Sequence, residues 1–270
     1  MGSMEPRRGL SAARTQRVGS DSRREVPDRV IEEAPVALVY NGVPFAVMMA
    51  TPCDLEDFAL GFSLSEGIVG GPGEFELVDV LETGRGISLQ GLVPGARFEA
   101  LQRRKRSLSG RSGCGLCGVE SLEEAVRPPP RVANGPLLDR ATVAAGMRQL
   151  AQAQPLNAAT GGAHAAAFIA KGRPAVVRED VGRHNALDKL IGALARTPGT
   201  PPVQDGFLAI TSRASWEMVH KAAHAGMAVI AAISAPTSLA IEAASAAGIT
   251  LIAFARDESM NIYTHAARIA

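Results

Sequence analysis

The sequence predicts an α/β protein: a mostly parallel sheet flanked by helices in the C-terminal half, preceded by a smaller β-rich unit. Three observations carry this. Short apolar runs alternate with helix-period segments after Leu137, glycines stand where those helices should stop, and Asn41-Gly42 separates two apolar runs near the start. With 270 residues, 46% hydrophobic and 20% charged, the chain can bury one large core or two modest ones.

Residues 1–25 are rich in Arg, Ser and Gly and lack the apolar stretch of a signal peptide, so a disordered tail is expected there. Met1-Gly2-Ser3 before Met4 reads as a cloning scar, and Pro6 spoils a myristoylation pattern. Residues 26–102 read as the β-rich unit. Asn41-Gly42 marks a hairpin because both residues accept positive φ, and Asp54-Leu55-Glu56 opens a helix through Phe58, Leu60, Phe62 and Leu64 that stops near Gly67. Short strands are expected at 75–81, 87–89 and 97–101.

Residues 103–136 read as a mobile basic loop and linker. Arg103-Arg104-Lys105-Arg106 leads into a Gly/Ser-rich stretch holding Cys114 and Cys117, and Pro128-Pro129-Pro130 makes a stiff break. Residues 137–270 then read as the α/β domain. A helix runs to about Gln154, followed by strands at 165–170 and 175–177 and a helix through Leu187, Leu190, Ile191 and Leu194. A strand at 207–210, a helix at 215–225 stopped by Gly226, a strand at 228–233, a helix at 238–247 stopped by Gly248 and a strand at 249–254 complete it. The stretch 227–255 carries one charge, Glu242, but Ser234, Pro236, Thr237 and Ser238 divide it, so it reads as buried strands and a crossover rather than a membrane span.

A formal charge of +1 gives no global attraction to nucleic acid or an anionic membrane. Three cysteines, two of them in C-x-x-C, make a poor disulfide framework and suit a reducing compartment, so the cytoplasm is expected. The pair Cys114 and Cys117 has three uses: dithiol redox, half of a zinc site, or sulfur carried as a persulfide. A zinc site needs four ligands, no second C-x-x-C is present, and His220 and His224, four apart, come with no third ligand of their own; a redox motif usually opens a helix after a strand, whereas this one follows a basic coil. A thiolate on a glycine-rich carrier segment fits best. Gly113-x-Gly115-x-x-Gly118 matches a dinucleotide fingerprint by accident, with no strand before it, and the zinc-deaminase signature is absent.

A second constellation lies at strand-to-helix junctions: 179–185, 211–215 and 234–238. In an open sheet such junctions line the carboxyl edge, where ligands bind. Ordinary capping explains Ser215, Thr237 or Ser238 but not Arg183 and Arg213 beside them. His164 reads as a ligand contact or a satisfied core histidine, and His220 and His224, without a third ligand, as a packed or solvated face.

At these residues the chain resembles the formate dehydrogenase accessory sulfurtransferases, the FdhD family, from about Pro35 to the C-terminus. The resemblance rests on Cys114-Gly115-Leu116-Cys117-Gly118, Thr160-Gly161-Gly162-x-His164-x-Ala166, Glu179-Asp180-Val181-Gly182-Arg183-His184-Asn185-Ala186-Leu187-Asp188-Lys189, Arg213-Ala214-Ser215-x-Glu217-Met218-Val219-x-Lys221-Ala222-Ala223 and Ser234-Ala235-Pro236-Thr237-Ser238-Leu239-Ala240. It implies a homodimer that takes sulfane sulfur from a cysteine desulfurase and delivers it to the molybdenum or tungsten bis(guanine dinucleotide) cofactor of formate dehydrogenase. It also implies a cytidine-deaminase-like C-terminal domain without deaminase chemistry. On the family's pattern Cys114 carries the persulfide and Cys117 receives or releases it. The cofactor is expected near Arg183, Arg213, Thr237 and His164, and along Phe254-Ala255-Arg256-Asp257-Glu258, with GDP as a fragment ligand. Thr211-Ser212-Arg213 replaces the family's usual Ser-Gly-Arg, which could narrow the backbone's approach to a ligand. The competing reading is a non-catalytic cofactor chaperone whose thiols sense redox state.

Overall fold

The computed structural model describes residues 9–108, 128–132, 135–200 and 202–270. Its first element is not a tail. Strands β1 (Leu10–Val18) and β2 (Arg23–Ile31) form an antiparallel ribbon with register Leu10↔Ile31 through Val18↔Arg23. Its side chains are mostly exposed and polar, so no hydrophobic alternation announces it; Ile31 and Gly9 seat its base against Gly162, Thr51 and Leu156.

Strands β3 (Ala34–Tyr40), β4 (Val43–Ala50), β5 (Glu76–Thr83) and β6 (Gly86–Leu92) form a sheet in the order β4-β3-β6-β5. Asn41 and Gly42 turn the β3–β4 hairpin at φ 48° and 79°, as their residue types predict. Helix α1 (Leu55–Ser65) lays Phe58 and Phe62 against Val36, Leu38, Tyr40 and Leu89 of that sheet. The expected strand at 97–101 is instead part of helix α2 (Gly95–Leu108), which also takes in the start of the expected basic loop. Phe98 and Leu101, three apart, put one helical stripe on the same core, while Arg97 pairs with Glu74.

The second sheet comprises β7 (His164–Ala170), β8 (Val176–Asp180), β9 (Gly206–Ile210), β10 (Val229–Ala232), β11 (Thr250–Arg256) and β12 (Ser259–Ile262), in the order β12-β11-β10-β9-β7-β8. It is mixed rather than mostly parallel: β9–β10 and β10–β11 are parallel, whereas β7–β8, β7–β9 and β11–β12 are antiparallel. The connections after β7 and β11 are too short for a crossover and force reversal. Helix α3 (Arg140–Gln152) covers one face through Val143, Met147 and Leu150; a short helix, α4 (Pro155–Thr160), follows it. Helices α5 (Arg183–Arg196), α6 (Trp216–His224) and α7 (Ser238–Ala247) cover the other. Burial on both faces explains why these strands read as continuous apolar runs.

The two sheets are joined through α1 and α5, which cross at Gly61 and Gly192. A Cβ at Gly61 would overlap the Asp188 carbonyl, and one at Gly192 the Asp57 carbonyl. Beside the crossing, Asp57 pairs with Arg178 and Arg196, and Arg196 also with Glu56. No helix among the described residues is long and apolar enough to cross a membrane.

Candidate functional site

Strands β8 to β11 end where β7 begins, since His164 lies opposite Asp180 and Ala166 opposite Ile210. The three junctions picked out from the sequence therefore converge on one edge. The β9–α6 and β10–α7 junctions are stitched together: Ala214 N–H donates to Ala235 O at 3.1 Å and Thr237 N–H to Ala214 O at 3.0 Å. Thr237 is the N-cap of α7, its Oγ1 accepting from Ala240 N–H at 3.2 Å, so one lone pair of its hydroxyl serves the helix. Arg213 is exposed, and Arg183 is partly buried with its Nε lacking any hydrogen-bond partner. Thr211 Oγ1 accepts from Ala165 N–H and ties the junction to β7. Ser212, where the family usually has glycine, does not have positive φ, so a side chain is accommodated there.

The five residues 254–258 divide. Phe254 is 40% exposed at φ 52°, an uncommon backbone for an aromatic, and its N–H donates to Ser234 O; Arg256 Nε donates to Ile233 O at 3.0 Å. Both stand at the edge. Ala255 is buried in the α3 cluster, Asp257 makes the turn at φ 51°, and Glu258 is held by Arg140 and Arg148. His164 is half-buried, and burial followed by the charge of Arg183 holds its imidazole below the ordinary histidine range.

Composition and spacing could not disclose the buried polar lattice under this edge. The Asp180 carboxylate accepts from Thr51 N–H (2.9 Å), Gly182 N–H (2.7 Å) and Asn185 Nδ2 (3.0 Å), and pairs with Lys189 at 2.7 Å. Lys189 also reaches Thr51 O, and Asn185 reaches Met49 O. Asp188 pairs with Lys221, which also holds Glu66. These residues lock the turn bearing Arg183 and His184 onto the β4–α1 connection. Asp and Lys signal solvent exposure from sequence; only tertiary structure turns them inward.

Burial pushes the Cys53 thiol up to about 11, although Lys189 Nζ, 3.7 Å from its sulfur, opposes this. It is a poor nucleophile. Cys114 and Cys117 lie outside the described residues. Among the described residues no group of three or more His, Cys, Asp or Glu is placed to hold a metal, and the His220 and His224 rings stack at 4.3 Å.

Fold and edge together define an α/β protein whose sheet edge gathers arginines, hydroxyls and a carboxylate from three strand-to-helix junctions. The chain belongs to the FdhD/NarQ family, whose model matches residues 31–270. It is 54% identical over 245 residues to the sulfur carrier protein FdhD of Xanthomonas campestris pv. campestris (strain B100), covering 90% of this chain and 86% of that one. To the sulfur carrier protein FdhD of Variovorax paradoxus (strain S110) it is 52% identical over 243 residues, 90% and 87% of the two chains. The fold matches a crystal structure described as a formate dehydrogenase accessory protein from Desulfotalea psychrophila, with TM-score 0.73 and 24% identity over 97% of this chain and 99% of that one.

Proposed function

We propose that this protein is a sulfur carrier in formate dehydrogenase maturation: it accepts sulfane sulfur from a cysteine desulfurase and sulfurates the molybdenum or tungsten bis(guanine dinucleotide) cofactor. The observation that supports it best is the similarity to curated sulfur carriers combined with the state of Cys53. Of three cysteines, the described one, Cys53, is partly buried with its thiol pushed up to about 11, which favours Cys114 and Cys117 for the role.

In this reading a Cys114 thiolate attacks the outer sulfur of the desulfurase persulfide. The S–S bond breaks, the desulfurase cysteine leaves as thiolate, and Cys114 becomes the persulfide. An ordinary thiol, with a pKa of about 8.5, is only a few per cent ionised near neutral pH, so Arg111 and the cations 103–106 would favour the attack. Cys117 then receives or releases the sulfur by exchange. The substrate cofactor lies across the sheet edge near Arg183 and Arg213, its phosphates toward Arg213 and its far end toward Phe254 and Arg256. The Arg183 Nε, buried with no hydrogen-bond partner, supports an acceptor group of the ligand beside it. His164 flanks this position and Thr237 frames it. The reading includes a cytoplasmic homodimer with a deaminase-like C-terminal domain that works without deaminase chemistry.

Activation of formate dehydrogenase in cells lacking their own carrier tests it. Cys114→Ala should abolish activation, Cys117→Ala should impair it, and Cys53→Ala should leave it intact. Full activation by a folded Cys114→Ala, Cys117→Ala protein would remove sulfur transfer and leave a cofactor chaperone with redox-sensing thiols.

A further inference from the structure

The carboxylates packed under the sheet edge are almost all spoken for. Glu179 accepts the N–H groups of Leu156 and Asn157, Asp180 is filled by Lys189, Thr51, Gly182 and Asn185, and Asp188 by Lys221 and Ser65. Glu217, in the first turn of α6, differs. Among the described residues no lysine or arginine pairs with it; its neighbour is His184, whose Nε2 stands 3.9 Å from Oε2, too far for a hydrogen bond. The two side chains are 32% and 29% exposed.

Donors stand beside this acceptor. Arg183 Nε and His184 Nε2 are buried without hydrogen-bond partners. Burial would raise the Glu217 carboxyl, but the Ser215 hydroxyl, its own backbone N–H, His184 and Arg183 together hold it below the usual carboxylate range. The result is a charged acceptor pair next to an unused cationic donor on an otherwise cationic edge. A purely anionic ligand would be repelled by the carboxylate, so this spot suits a neutral group with paired N–H donors and an adjacent carbonyl.

We propose that Glu217, with Arg183 beside it, reads the 2-amino-4-oxo edge of a fused pyrimidine ring, the edge shared by guanine and pterin. The carboxylate oxygens accept the ring N–H and the exocyclic amine while Arg183 donates to the ring carbonyl. Adenine, which presents a ring lone pair at the matching position, leaves the carboxylate unpaired and is rejected. This rests on the substrate placement proposed above and adds the specificity-determining residue to it.

Calorimetric titration of the full-length protein with GDP, IDP, ADP and 6-hydroxymethylpterin tests the inference. IDP differs from GDP only by lacking the exocyclic amine. Losing one charge-assisted hydrogen bond should weaken binding about 10- to 100-fold, so wild type should prefer GDP to IDP by that margin. Glu217→Gln should close the gap, while Arg213→Ala should weaken GDP and IDP alike and leave their ratio unchanged. Glu217→Asp, which keeps the charge, should retain part of the preference and serves if the Gln variant fails to fold. A Glu217-dependent preference for the pterin over IDP, without one for GDP, assigns the site to the pterin end. GDP binding that Arg213→Ala weakens but Glu217→Gln leaves unchanged, with the GDP-to-IDP ratio intact, would overturn this inference and spare the substrate placement. No binding of either GDP or the pterin by wild type would overturn both.

Discussion

His184 occupies the turn that Asp180 and Asn185 anchor, and its surroundings decide its charge. Burial, then Arg183, pushes its imidazole down to about 4 from an ordinary value of 6.5. The sign follows directly. Below pH 6.5 the unfolded chain takes up a proton that the folded protein refuses, so stability present at neutral pH is lost as pH falls toward 4. Each unit is worth about 1.4 kcal/mol, giving at most about 3.5 kcal/mol across the window, less some solvent screening. Urea denaturation should therefore show a smaller drop in stability between pH 7 and 5 for His184→Gln than for wild type. Equal drops would mean that His184 protonates freely in the folded protein. His164, depressed by the same two causes, should reinforce this trend in both proteins.

At the scale of elements, the α1–α5 crossing fixes how the β-rich sheet meets the mixed one. Gly61 and Gly192 let two backbones touch, and neither neighbour is a flexible side chain that could yield. Gly61→Ala should cost about 3 kcal/mol or more by forcing the helices apart, whereas Gly84→Ala, with nothing within 4 Å of the new methyl, should be close to neutral. Thermal unfolding of both variants checks this, and a Gly61→Ala protein as stable as wild type would refute the close crossing. Elements buried on both faces were the most legible: β9, β10 and β11 announce themselves as apolar runs, and α6 and α7 by Gly226 and Gly248, which terminate them with positive φ. The β1–β2 ribbon was illegible because its strands bury almost nothing, and α2 because two apolar anchors on an arginine-rich helix carry little periodic signal. The mixed sheet was misread for a topological reason: alternating strands and helices look alike whether β7 lies beside β9 parallel or reversed.

For the whole molecule, the chemistry-bearing segments fall on two levels of legibility. Arg183, Arg213, Thr237 and Phe254 share one edge because β8, β9, β10 and β11 all run in one direction, antiparallel to β7, so the reading of parallel strands after Phe207 was enough to group most of them. The lattice of Asp180, Asp188, Lys189 and Lys221 that holds this edge against the β4–α1 connection needed three dimensions, as did the lack of a lysine or arginine ion pair on Glu217 among the described residues and the raised Cys53 thiol. The molecule thus joins a polar sheet edge to a chain segment bearing two thiols in sequence. Its proposed function requires that those thiols, and not Cys53, carry sulfur. Mass spectrometry of the intact protein after incubation with a cysteine desulfurase and cysteine measures this directly. Wild type and Cys53→Ala should each gain the mass of one sulfur, released by reductant and mapped to Cys114, and the Cys114→Ala, Cys117→Ala protein should gain none. Sulfur gained equally by that double variant, or by no form of the protein, would contradict the account.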